Sequence, residues 1–272
     1  MSFFTVKERL DNILYRVFNV FSDVIFFARL STRKELVNND KYRLSHDGQR
    51  CFIVGTGPSL SGIDSCFIDN LKSETVFGVN SFYKIESFSD VVPDYYVLMD
   101  NNYWGVSSGA FNEVRNKYTK PPVFISDVRA LKFLKGTEKT SEYLALYAKN
   151  YPVDSVRFDA RSNLSITMNV VGVSIQMAIY MGFKEIYLLG CDYNSFCSVG
   201  GSHCYDDQDE KNALPSYNLA FYLKYYSLTT EFHYKLAQLA KENNVKLVNA
   251  TDGSLLDAYP YKSLKNIFAD NF

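Results

Sequence analysis

The chain has 272 residues with 29 Lys and Arg against 30 Asp and Glu, a formal net charge of -1, and a 47% hydrophobic composition. That length supplies a core for one large α/β domain or two small ones, and one domain with appendages is expected. The balanced charge excludes broad nucleic-acid binding, which needs an excess of basic side chains, though a local anion site remains open.

No basic, apolar and small-residue succession marks a secretory signal at the N-terminus, and no run reaches 18 uninterrupted apolar residues. Five cysteines, an odd number with two inside strand-like runs, read as reduced thiols. A cytoplasmic protein is therefore expected. A zinc site at Cys191, Cys197, His203 and Cys204 would lack any C-x-x-C spacing. The 21 Tyr and 21 Phe suit a sugar- or lipid-facing protein, or simply fill the core.

Residues 1–30 place Phe3, Val6, Leu10, Ile13, Val17, Val20, Val24 and Phe27 at alternating three- and four-residue steps. This predicts a long amphipathic helix whose polar face carries Lys7, Arg9, Arg16 and Arg29. Three readings are open: packing on the parent domain, homo-oligomerisation through a coiled seam, or lying in a membrane surface, at the inner face of the inner membrane. Residues 31–49 read as a polar linker, with His46 solvated, and 50–272 as the domain proper.

Within that domain, strands are expected at 51–55, 75–79, 95–99, 122–126, 185–190 and 245–249. Helices are expected near 63–71, at 169–181 and within 216–243. Short apolar strands interleaved with helices predict an α/β fold with a mostly parallel sheet covered on both faces. Ligands of such sheets gather at the carboxyl ends of the strands. The first of these ends is Gly55-Thr56-Gly57-Pro58-Ser59, whose glycines allow a sharp turn; Ser59 would cap a following helix, with open amides for a phosphate. G-x-G-x-x-G is not completed, since position 60 is Leu60. The other ends are Asn80, Asp100-Asn101-Asn102 and Cys191-Asp192-Tyr193-Asn194, where an asparagine amide both donates and accepts, as reading a base or ribose requires. The Gly- and Ser-rich loop over about 195–215 reads as a lid.

The phrases CFIVGTGPSL, VFGVNSFY and GVSIQMAIYMGFKEIYLLGCDYN, in this order, resemble the bacterial sialyltransferases of glycosyltransferase family 42. With the tail VNATDGSLLDAYP they are also similar to the MptE-like domain of pterin pyrophosphokinases and Maf proteins. The first resemblance implies a Rossmann-like, GT-A-variant-like domain that takes a nonulosonic acid from a CMP-activated donor and needs no metal. The acceptor would be a surface glycan, such as lipopolysaccharide, capsule or O-antigen, or its lipid-linked precursor. It implies a nucleotide site at Gly55, Thr56, Gly57, Pro58, Ser59, Asn80, Asn101, Asp192 and Asn194, with Asn169 and Val170 near the donor sugar. Ser227 falls where the family keeps its histidine base, so His203 and His233 become the candidate bases, with Tyr205 and Tyr193 donors to the departing phosphate. The second resemblance implies a pyrophosphokinase using ATP and magnesium, for which Asp206, Asp207, Asp209 and Glu210 would hold the cation. A nucleotide-binding subunit that has lost its base is the non-enzymatic alternative.

Overall fold

The run Cys51-Phe52-Ile53-Val54 is apolar throughout because it is buried on both faces: Cys51 and Ile53 join one hydrophobic core, Phe52 and Val54 another. It lies in strand β1 (Arg50–Val54) of a computed structural model that describes residues 3–135, 142–165, 169–197, 204 and 218–269. Seven further strands follow: β2 (Thr75–Val79), β3 (Tyr95–Leu98), β4 (Val123–Asp127), β5 (Tyr143–Asn150), β6 (Asn163–Ser165), β7 (Glu185–Leu189) and β8 (Lys246–Asn249). They form one sheet in the order β6-β5-β4-β3-β2-β1-β7-β8. All seven pairings are parallel. The expected α/β class holds.

Strand order reverses between β1 and β7. The chain steps outward from β1 to β6, then returns through a helix to start β7 on the other side of β1. Two adjacent strands whose chains leave in opposite directions open a crevice at their carboxyl ends.

The helices are α1 (Phe3–Ala28), α2 (Leu30–Leu36), α3 (Ser65–Leu71), α4 (Ala110–Lys117), α5 (Leu131–Leu134), α6 (Val170–Tyr180), α7 (Leu219–Glu242) and α8 (Leu264–Ala269). On one face of the sheet, α6 and α7 close the first core. Nine of the eleven α6 residues are buried, as its nearly continuous apolar sequence requires. On the other face, side chains from α3, α4 and α8 complete the second core.

Residues 31–49 are not a linker. They run through α2 and a 3-10 helix at Val37–Tyr42, and bury Leu36, Asn39 and Tyr42. The Asn39 amide, 1% exposed, donates to the Ala145 and Ala160 carbonyls, each at 2.8 Å. His46 is not simply solvated: its ring stacks on Phe183 and bonds the Tyr95 hydroxyl at 2.6 Å and Gln49 at 2.7 Å. Asn39→Ala would orphan two buried carbonyls, so an unfolding free energy lower by about 2 kcal/mol is expected in urea titrations. An unchanged midpoint would tell against this segment's docking.

α1 forms as the periodicity predicts, but its polar face packs on the domain and its apolar face looks outward. Asn19 exchanges two 2.7 Å hydrogen bonds with the Tyr151 backbone, Ser22 donates to the Lys149 carbonyl, and Asp23 pairs with Arg157. Tyr15 stacks on Tyr151 at 3.9 Å. Of the three open readings, packing of the apolar stripe on the parent domain is thus set aside.

Candidate functional site

The crevice at the β1/β7 reversal is a cavity of about 160 Å³. Its wall is Gly55, Thr56 and Gly57 after β1; Val79 and Asn80 after β2; Asn169, Val170 and Val171 at the start of α6; and Gly190 to Ser195 after β7. Tyr225, Tyr226 and His233 of α7, with Leu256, close it.

The corner after β1 is built by close backbone contact. Gly55 N donates to the Leu189 carbonyl at 2.7 Å and Gly57 N to that of Gly190 at 2.9 Å. Asp192 then accepts from Ser59 twice, from its N–H at 3.0 Å and its hydroxyl at 2.8 Å. The tail after β8 braces the other side: Cys191 N donates to the Thr251 hydroxyl, and the Ser254 hydroxyl to the Cys191 carbonyl.

This overturns two expectations. Ser59 does not cap a helix; the next element is a 3-10 turn, Pro58–Gly62, entered at Gly57 without a side-chain cap. The amides of Gly55, Gly57, Ser59 and Leu60 are not open to a phosphate, because each already has a partner within the chain. The anion at this corner is the protein's own Asp192 carboxylate. Pro58 and Ser59 lie behind the wall rather than in it, and Leu60 is buried against Gly190.

Asn80 takes the left-handed conformation, φ 47°, which asparagine tolerates better than most residues. It is held there through its carbonyl, which accepts from the Tyr96 hydroxyl at 2.9 Å. Its side-chain Oδ1 is buried and has no partner. Asn169 caps α6, accepting from Val171 N at 2.8 Å, so this helix directs its N-terminus at the cavity. Asn194 lines the wall; Asn101 does not. Asn101 opens an exposed 3-10 turn after β3, a strand separated from β1 by β2 and so away from the reversal point.

His233 is fully buried. Its Nδ1 lies 2.7 Å from the Tyr259 hydroxyl, its ring meets Tyr193 edge-on, and Nε2 has no partner. Burial pushes the imidazole down to about 3, so it is neutral at physiological pH. Tyr226, Thr229, Thr230 and His233 fall at i, i+3, i+4 and i+7 on one face of α7, while Ser227 is exposed off that face.

Tyr193 was expected at this strand end; Tyr225 and Tyr226 were not foreseen from sequence. The Tyr193 and Thr229 hydroxyls bond one another, as do those of Ser195 and Tyr226. Burial raises the phenols of Tyr193, Tyr225 and Tyr226, which remain protonated donors. The usable signal was the pair Tyr225-Tyr226 seven and eight residues before His233, two turns along one helix.

Of the expected lid, Ser195 lines the cavity and Cys204 N donates to the Thr56 carbonyl at 3.1 Å. His203, Tyr205, Asp206, Asp207, Asp209 and Glu210 lie outside the described residues. All five cysteines are free, and burial pushes the Cys191 thiol up to about 12. Among the described residues no three His, Cys, Asp or Glu side chains gather as a metal would need.

A sequence model of the family described as 6-hydroxymethylpterin diphosphokinase MptE-like matches residues 26–195. The chain belongs to the MptE-like family. The matched stretch holds β1 to β7 and most of the cavity wall, and α7 with His233 lies beyond it. No curated protein matches this MptE-like chain in sequence. Among solved structures, the sialyltransferase CstII from Campylobacter jejuni in complex with cytidine-5'-monophosphate is 20% identical, with a TM-score of 0.51 over 80% of this chain and 86% of that one. CstII in complex with CMP-3FNeuAc is 17% identical, with a TM-score of 0.51 over 79% and 86%. A Maf glycosyltransferase from Magnetospirillum magneticum AMB-1 is 16% identical, with a TM-score of 0.49 over 86% of this chain and 38% of that one. The CstII likeness is one of fold. Both resemblances expected from the sequence are therefore met by this MptE-like protein.

Proposed function

We propose that the chain is a glycosyltransferase that moves a nonulosonic acid, sialic acid or a close relative, from a CMP-activated donor to a bacterial surface glycan or its lipid-linked precursor. One observation carries the reading. The described cavity wall is made of amides, hydroxyls, small and apolar residues and the Asp192 carboxylate, with no Lys or Arg, and it holds two buried polar side-chain atoms without a partner, Asn80 Oδ1 and His233 Nε2. A buried polar atom without a partner costs free energy until a ligand satisfies it.

The roles divide accordingly. Asn80 Oδ1 accepts from the cytosine amino group, and the small Gly55-Thr56-Gly57 wall admits the ribose. The start of α6 at Asn169 and Val170 turns its positive end toward the donor carboxylate. Tyr225 and Tyr226 donate to the phosphate as it leaves, with His203 and Tyr205 available from the lid. Asp192 positions the corner through Ser59, and Asn194 stands beside it. In an inverting transfer the acceptor hydroxyl attacks the anomeric carbon, the bond to the phosphate oxygen breaks, and the hydroxyl proton passes to His233 Nε2. The neighbouring phosphate raises the basicity of that imidazole as the reaction needs it. The chemistry requires no metal.

The family description favours a second reading, pyrophosphoryl transfer from ATP with magnesium. A triphosphate calls for cationic groups that the described wall does not supply. Thermal unfolding separates the two. CMP at a hundred times its Kd is expected to stabilise the protein by about 2.7 kcal/mol, a rise of several degrees, while ATP with magnesium does nothing. The opposite pattern selects the kinase reading, and no response to either removes both.

A further inference from the structure

Thirteen large apolar side chains of α1 are exposed, Phe3 and Phe4 by 80% each and Phe21 by 64%. At 3.6 residues per turn they span an arc of roughly 220°, the entire side of the helix that the domain leaves uncovered. Leu30 and Val37 continue this surface past the end of α1. The patch is larger than soluble monomers expose. It cannot be hidden by rolling α1, because Asn19, Ser22, Asp23 and Tyr15 fix the opposite face to β5, Tyr151 and Arg157.

We propose that α1 lies in the plane of an anionic lipid surface, with its apolar face among the acyl chains and its polar face carrying the domain. Two observations choose this occupant. The first is width: a facing helix covers a seam of two residues per heptad, so a second copy of α1 would leave both flanks in water, whereas lipid follows the whole arc. The second is charge. Between residues 3 and 34 there are six basic side chains and three acidic ones. Two of those acids are already paired, Asp11 with Lys7 and Asp23 with Arg157. Arg9 edges the arc, and Arg29, Arg33 and Lys34 are exposed at its end, with Arg33 5.5 Å from the Phe27 ring centroid. Cationic heads beside an apolar face suit anionic headgroups. No helix among the described residues is long and apolar enough to cross a membrane, so contact is in-plane.

Flotation of the full chain with vesicles tests this. With 70:30 phosphatidylcholine and phosphatidylglycerol the chain is expected to float, and with pure phosphatidylcholine to bind at least tenfold less. Val17→Glu, Phe21→Glu and Val24→Glu together should cut binding to the anionic vesicles more than tenfold. Arg33→Glu with Lys34→Glu, which leaves the apolar face intact, should cut it several-fold. The proposal is overturned if the wild-type chain stays at the bottom with both vesicles. It is overturned equally if light scattering shows a dimer that the triple variant converts to monomer while vesicle binding is unchanged; α1 would then meet a second copy. The inference stands apart from the reaction, and CMP-induced thermal stabilisation on the same samples reports the cavity alone.

Discussion

Gly55→Ala is expected to destabilise the protein by about 3–5 kcal/mol and to abolish stabilisation by CMP. A Cβ at position 55 would stand 2.4 Å from the Gly190 carbonyl oxygen and 3.0 Å from its carbon. Both are backbone atoms of the strand end that Gly55 and Gly57 bond, so no rotamer change relieves the clash. The backbones leaving β1 and β7 must part, which strains the core by about 1–3 kcal/mol and weakens two hydrogen bonds of about 1 kcal/mol each. Gly57→Ala is the milder relative. Its Cβ would collide with the Asp192 carboxylate, which can swing away by giving up Ser59, and would stand 2.8 Å from the Gly190 carbonyl oxygen, a less severe backbone clash than that at Gly55. Gly62→Ala is the control, since a Cβ there meets nothing within 4 Å. Urea titration with and without CMP reads all three, and a wild-type midpoint for Gly55→Ala would disprove the contact between the two strand ends.

The strands around this corner were legible because burial on both faces forces an unbroken apolar run. β5 and β6 were not. Tyr143–Asn150 includes Lys149 and half-buried positions, since α1 covers that side of the sheet through polar contacts, and the three-residue β6 is too short to carry a pattern. Segment 31–49 looked like a linker because its docking is made by scattered side chains, Glu35 to Tyr143, Asn39 to two carbonyls and Tyr42 to Glu142, whose partners are 100 or more residues away. The same limit governed α1. Its period was visible in sequence, but which face meets the domain depended on Asn19 finding Tyr151.

The candidate site divides in a similar way. Asn80 stood out as an asparagine ending a strand, and it lines the cavity. Asn101 obeyed the same rule and does not, because only strand ends beside the order reversal share a crevice and strand order is not a local property. His233 was visible as one of three histidines and, with Ser227 at the family's base position, as a candidate base. Its place in the wall follows from α7 crossing the carboxyl end of β7, which a single sequence does not display.

The acid limb of the stability curve should report His233 directly. The folded protein holds this imidazole near 3 by burial alone, whereas in the unfolded chain it titrates near the ordinary value of about 6.5. Between those values only the unfolded state binds the proton, so stability falls as pH drops from about 6.5 toward 3, by about 1.4 kcal/mol per pH unit. Above 6.5 both states are neutral and the group contributes no slope. His233→Gln keeps an amide N–H to donate to the Tyr259 hydroxyl oxygen, as Nδ1–H does in the tautomer that leaves Nε2 free, and removes the titration. Whatever it costs at pH 7, the variant should regain about 3 kcal/mol relative to wild type by pH 4, because carboxylates titrate in both proteins and cancel in the difference. Urea titrations at pH 4, 5, 6 and 7 measure this. Parallel curves would mean that solvent reaches the imidazole, and a solvated His233 could not wait neutral and unpartnered for an acceptor hydroxyl. Convergence as acid is added would establish the dry, uncharged imidazole on which its assignment as the base depends.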